Sequence, residues 1–190
     1  MLNKDELQLA QKARLGDQEA FSMLYNEYIK KIYDFLYFKT FSKELAEDLT
    51  SQVFLKALKS ISRFSSDNFS AWIYTIARNT LIDHYRSTKE TKNIEDCWDL
   101  MSDSDTFKNV SNQIALEKIS LIMKDLSSSD RELLLMRLWS NLSFKEIAEI
   151  TNKKESALKV SFGRALNRLR EKVGPVLLLI ILSIICKKMN

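Results

Sequence analysis

The stretch 143–150, SFKEIAEI, is followed by four residues, 151–154, TNKK, and then by 155–172, ESALKVSFGRALNRLREK. Ser143 and Glu146 stand at Ser-x-x-Glu spacing, in which the serine oxygen accepts an orphan amide and the glutamate reaches back to the cap. In the longer segment Leu158, Phe162, Leu166, Leu169 and Val173 recur at helical spacing and form one apolar stripe. At about 100° per residue, the opposite face carries Ser156, Val160, Gly163, Arg164 and Asn167, flanked by Lys159 and Arg168. A helix anchored along one side, with small, polar and cationic groups on the other, suits a nucleic-acid surface. Two capped helices a tight turn apart predict a helix-turn-helix.

The rest of the composition agrees with a helical chain. Among 190 residues there are three glycines, one proline and few alternating β-branched runs, so the fold class expected is all-α. The net charge of +4 is unevenly placed. Residues 1–90 hold 13 basic and 12 acidic groups, 91–130 hold 4 and 8, and 131–190 hold 12 and 5. The cationic part is therefore the C-terminal one, the part that carries the helix-turn-helix. Cys97 and Cys186 lie far apart with no thiol or histidine at ligand spacing. That pattern argues against a disulfide framework or a metal site and for a reducing compartment. The opening MLNKDELQLAQKARLGD is charged and has no apolar stretch, which reads as no secretory signal and a cytoplasmic protein.

Upstream, helices are predicted over 3–15, 17–38, 42–60 and 69–87, with Asn3 and Glu6 as a cap for the first and Gly16-Asp17 as the turn into the second. Together they make one four-helix domain over 1–87. Residues 88–112 lose the apolar period and are rich in Asp, Ser, Asn and Thr, the composition of a flexible acidic linker. Trp98, Leu100, Met101 and Phe107 leave open a short helix folded onto a neighbour. Helices resume over 113–125 and 130–140, the latter with Ser129 and Glu132 at capping-box spacing, and the second domain ends near Val173. The tail 174–190 holds an apolar run, Val176 to Cys186, shorter than the roughly 20 residues that span a bilayer. It suits interfacial membrane contact through its flanking lysines, a groove in its own fold, or a partner protein.

Three surfaces carry the functional reading. Around the last helix, Lys153, Lys154, Ser156, Lys159, Arg164 and Arg168 are placed for phosphate, while Ser156, Lys159, Val160 and Arg164 are placed to read bases. Gly163 weakens a helix by about 1 kcal/mol relative to alanine, which a close backbone approach to a surface would explain. A solvated basic helix on an ordinary bundle is the alternative. The helix over 69–87 is expected to bury Phe69, Trp72, Ile73 and Ile76 and to expose Tyr74, Thr75, Arg78, Tyr85 and Arg86, with Asn79 at the margin. Such a face suits unpaired bases and phosphates. Asp83 reads as an acceptor near the buried margin, and His84 as structural or solvated. The helix over 42–60 is apolar on two sides, Leu45-Leu49-Val53 and Phe54-Leu58-Ile61. The second stripe either packs inside the bundle or docks a partner, with Glu47, Asp48, Gln52 and Lys56 between the two.

In order, AEDLTSQVFLKALKSI, FSAWIYTIARNTLIDHYRS, the acidic stretch, and LSSSDRELLLMRLWSNLSFKEIAEI with ESALKVSFGRALNRLRE resemble the sigma factors of bacterial RNA polymerase, in the small two-domain extracytoplasmic-function class. The resemblance covers about residues 5–173. It implies a non-catalytic subunit that needs no cofactor, joins core RNA polymerase and directs initiation at promoter DNA. Region 2 (1–87) would bind the polymerase clamp through Asp48, Gln52, Phe54 and Lys56. It would also capture and melt the −10 element through Arg63, Ser65, Asp67, Asn68, Arg78, Asn79 and Arg86. The linker would run through the enzyme's basic RNA path. Region 4 (113–173) would hold the −35 element through Lys153, Lys154, Ser156, Lys159, Val160, Arg164 and Arg168. An anti-sigma protein is a further implied partner, and the tail is expected to aid that contact. The turn TNKK lacks the Leu-Gly common in this class, and Ser161 stands where a cation is usual. The rival readings are a stand-alone helix-turn-helix regulator and a membrane-associated adaptor with a degenerate DNA-binding domain. An enzyme has the least support, since no phosphate loop, ligand set or nucleophile–base pair occurs in the sequence.

Overall fold

The computed structural model describes the backbone of residues 4–88 and 126–188 and the side chains of 5–87 and 126–171. Apart from Thr88, which ends a helix, the acidic linker over 88–112 lies outside the described residues, as do the helix over 113–125 and the cap at Asn3. The chain divides into two compact units, one N-terminal and one C-terminal.

The N-terminal unit contains α1 (Lys4–Arg14), α2 (Gln18–Thr40), α3 (Lys43–Ser60), a 3-10 turn (Ile61–Arg63) and α4 (Phe69–Thr88). Gly16 takes φ +97°, a conformation that other residues rarely adopt, and turns the chain from α1 into α2. Asp17 then caps α2 by accepting from the Ala20 amide at 3.0 Å. α2 runs two residues beyond the predicted 38. It ends where Phe41 enters the left-handed region, its N–H donating to the Tyr37 carbonyl at 2.7 Å. That conformation costs a bulky residue energy, which burial of the Phe41 ring offsets. Ser42 caps α3 through the Leu45 amide.

Leu24, Tyr28, Ile32, Phe35 and Leu36 recur at three- and four-residue spacing along α2 and are buried with Leu49 and Val53 of α3 and Ile73, Ala77 and Leu81 of α4. Tyr74 and Tyr85 depart from expectation: both are buried, at 0% and 7% exposure. They fall on the stripe Tyr74-Ala77-Leu81-Tyr85 at i, i+3, i+7 and i+11, and Tyr74 meets the Phe35 ring edge-on at 5.4 Å between centroids. The second apolar side of α3 is mostly packed as well. Phe54 and Ile61 are buried, and Phe54 lies edge-on to Tyr25 at 4.8 Å, while Leu58 stays exposed.

One carboxylate ties three helices together. Glu6 of α1 accepts from the Tyr28 hydroxyl at 2.8 Å and from the Ser70 amide in the first turn of α4 at 3.2 Å. Burial and the neighbouring Glu6 charge push the Tyr28 phenol well above its ordinary pKa. Burial also raises Tyr33, helped by Glu47, and raises Tyr37, whose ring stacks on that of Tyr33.

The C-terminal unit contains α5 (Ser128–Leu134), a π-helical turn (Leu135–Trp139), α6 (Phe144–Thr151) and α7 (Glu155–Lys188). The cap of α5 is Ser127, whose hydroxyl oxygen accepts from the Asp130 amide, and not the predicted Ser129. Each residue of the Ser127-Ser128-Ser129 run is a capable cap, so sequence alone does not choose the start. The π turn closes with the Ser140 amide on the Leu135 carbonyl at 2.9 Å. Leu134, Leu135, Met136, Ile147, Leu158, Ala165 and Leu169 are buried. Phe162 and Leu166 are half-buried, and the Val173 side chain lies outside the described residues. α7 continues past the predicted end near Val173, through Gly174 and Pro175. A proline withholds one amide from the ladder, which is why the sequence reads as a stop at Gly174-Pro175. Among the described residues no helix is long and apolar enough to cross a membrane.

Candidate nucleic-acid interface

The α6–α7 pair is held by local chemistry the sequence announces. The Ser143 oxygen accepts from the Glu146 amide at 3.2 Å, and the Glu146 carboxylate accepts from the Ser143 amide at 2.6 Å, completing the capping box. Asn152 ends α6 at φ 54°, where many such turns use glycine, and its N–H donates to the Ala148 carbonyl. Asn152 thus supplies the left-handed residue that TNKK lacks as a glycine. Arg137 donates to the Leu142 carbonyl at 3.0 Å and lies 5.2 Å from the Phe144 ring centroid. The Phe144 ring in turn meets Phe162 of α7 edge-on.

This packing leaves Ser156, Val160, Gly163, Arg164 and Asn167 exposed on α7, as their spacing predicts. A Cβ built on Gly163 meets nothing within 4 Å, so nothing in its own fold requires a glycine there. The cations divide into two groups. Lys159 pairs with Glu155 at 2.6 Å, Lys153 donates to the Ser129 hydroxyl at 3.2 Å, and Arg168 pairs with Asp130 at 2.5 Å. Asp130 is mostly buried while Arg168 is exposed, so this pair braces α7 against the start of α5. Lys154 and Arg164 are exposed and have no ion pair among the described residues.

In the N-terminal unit the loop after α3 hangs on Phe64. Its buried ring contacts Phe69 and the half-buried Trp72 edge-on at 6.0 and 5.4 Å. Arg63, Ser65 and Asp67 are exposed around that anchor. Asn68 is buried, and its side-chain oxygen caps α4 through the Ala71 amide at 2.9 Å, which commits it to the fold. Ser66 bridges the Asn68 amide and carbonyl, fixing the loop's last turn. Along α4, Thr75 and Arg78 are half-buried, and Asn79 and Arg86 are exposed. The face is thus more polar than predicted, because Tyr74 and Tyr85 turned inward. His84 is half-buried beside Tyr85, and Asp83 pairs with Lys56 at 3.4 Å, at an exposed rather than a marginal position.

On α3, Asp48 is exposed and accepts from the Gln52 amide nitrogen at 2.9 Å, Lys56 leans toward Asp83, and Phe54 is a core residue. Leu55 and Leu58, 57% and 54% exposed, are the apolar groups this face offers. Leu55 was legible as the residue one turn beyond Gln52, but it lies off both apolar stripes. Among the described residues no group of histidine, cysteine and carboxylate side chains could hold a metal ion.

Two family models match: Sigma-70 region 2 over residues 24–91 and Sigma-70 region 4 over residues 116–169. The chain is 32% identical over 170 residues to the ECF RNA polymerase sigma factor BldN of Streptomyces coelicolor. That alignment covers 86% of this chain and 64% of the relative. It is 29% identical over 150 residues to the ECF sigma factor SigM of Bacillus subtilis, covering 77% and 91%. The solved structure of CnrH in complex with the cytosolic domain of CnrY shares the fold, with a TM-score of 0.70 at 18% identity over 88% of this chain and 96% of that one.

Proposed function

The chain belongs to the extracytoplasmic-function class of the sigma-70 family, and on that premise we propose that it joins core RNA polymerase and directs it to promoters with two separated DNA-reading surfaces. In this reading α7 lies in the major groove of an intact upstream element. Arg164 and Lys154 meet phosphate or base edges first, and Lys153, Lys159 and Arg168 exchange their intramolecular partners for phosphate. The N-terminal unit takes the downstream element. Its loop residues Arg63, Ser65 and Asp67, with Arg78, Asn79 and Arg86 of α4, engage a strand whose bases have left the stack. The strip of α3 formed by exposed Asp48, Leu55 and Lys56 with the half-buried Gln52 docks on the polymerase. No bond is made or broken by the protein itself, and its place of work is the compartment that holds RNA polymerase, the cytoplasm.

The observation that carries this reading is the α7 face: small, polar and cationic, solvent-facing along three turns, and held by a capped helix and an ion-paired brace. CnrH is described in complex with the cytosolic domain of CnrY, and a protein partner that covers one or both units is proposed here too. Run-off transcription tests the reading directly. Core polymerase plus the full chain should yield discrete transcripts from a randomised promoter library, and core polymerase alone should not. Equal, unselective transcription from both samples would refute it.

A further inference from the structure

The solvent-facing side of α7 carries one large apolar group among polar and small ones. Val160 is 55% exposed, among the few large apolar side chains so open to solvent. Its neighbours on that face are Ser156 and Ala157 one turn before it and Gly163 and the exposed Arg164 one turn after, with no atom near the missing Cβ of Gly163. The nearest cation, Lys159, is drawn aside to Glu155 and the Phe144 ring. An isopropyl group therefore stands among the short side chains of Ser156, Ala157 and Gly163, beside the longer Arg164, in a unit whose net charge favours DNA. The major-groove edges of the four base pairs offer one apolar feature, the 5-methyl group of thymine.

We propose that Val160 is a specificity-determining residue that packs on a thymine methyl in the upstream element, with Gly163 letting the helix approach closely enough for that contact. The inference rests on the promoter-reading function proposed above. It differs from the phosphate contacts proposed for Lys153, Lys154 and Arg168, which position the helix on any sequence.

The test uses holoenzyme made from the full chain and a promoter recovered from a randomised library. Each thymine of the upstream element is replaced in turn by deoxyuridine, which removes only the methyl. One replacement should weaken binding by wild-type holoenzyme about three- to fivefold, the worth of roughly one buried methyl group. Val160→Ala should lose a similar factor on the thymine promoter and show no further loss with deoxyuridine at that position. Three results would overturn the proposal: an upstream element without thymine on either strand, no position sensitive to methyl removal, or a Val160→Ala protein as sensitive as wild type. In each of these the promoter-reading function itself stands. Failure of the full chain to select any promoter would remove both. The deoxyuridine series on wild-type protein does not depend on how any variant folds.

Discussion

At the scale of single residues, the sharpest consequences follow from groups whose surroundings differ from water. Tyr28 keeps its proton in the folded chain because ionisation would place a buried phenolate beside Glu6. In the unfolded chain it releases that proton near its ordinary value of 10.0. Above that pH the unfolded state binds fewer protons than the folded one, so stability falls as pH rises. Chemical denaturation of wild type should show this alkaline loss. Tyr28→Phe should be less stable at neutral pH by about 1.5–3 kcal/mol, from the lost hydrogen bond to a charged acceptor, and should show a flatter alkaline limb. Gly163→Ala separates fold from function. With open space at its Cβ, the variant should be more stable by up to about 1 kcal/mol and yet bind promoter DNA less tightly. A gain in both would remove the close-approach explanation. Arg164→Ala should weaken upstream-element binding and lower the salt slope by about one phosphate's worth of counterion release. Unchanged affinity across salt would count against its role.

At the scale of elements, features closed by contacts within a few residues were the most legible, while the start of α5, the end of α2 and the buried face of α4 were not. Ser143 with Glu146 forms the expected capping box, and Gly16-Asp17 makes the expected turn, because both depend on contacts within a few residues. The faces of α4 required knowing which of two adjacent stripes meets the bundle. Tyr74 and Tyr85 have polar tips and read as surface residues, yet their spacing with Ala77 and Leu81 puts them inside. Phe54 was open to either outcome from sequence, and only the approach of Tyr25 from α2 settles that it packs within the unit. The role of Glu6 was invisible for the same reason. Its partners, Tyr28 and Ser70, are 22 and 64 residues away. The capping box itself is testable: Ser143→Ala should destabilise the C-terminal unit by about 1 kcal/mol. It should also reduce upstream-element binding without changing association with core polymerase, since that box orients α6 and hence α7.

At the scale of the whole molecule, the division of the chain into two helical units was legible from charge and periodicity together. An N-terminal unit of near-balanced charge, an acidic stretch and a cationic C-terminal unit are separate in the sequence, and two compact helical units appear in the structure. Cation placement needed coordinates. Lys159, Lys153 and Arg168 look alike from spacing, but each is held by its own chain through Glu155, Ser129 and Asp130, which leaves Arg164 and Lys154, of the cations expected to meet the upstream element, without an ion pair among the described residues. The central claim is that one unit grips an intact groove while the other holds opened bases, with polymerase present. Permanganate footprinting of the holoenzyme on a selected promoter tests it most directly, because permanganate attacks thymines only where they are unstacked. The account predicts reactive thymines confined to the downstream element and an upstream element that stays duplex and protected. Protection of both elements with no reactive thymine anywhere, or the same footprint without polymerase, would contradict it.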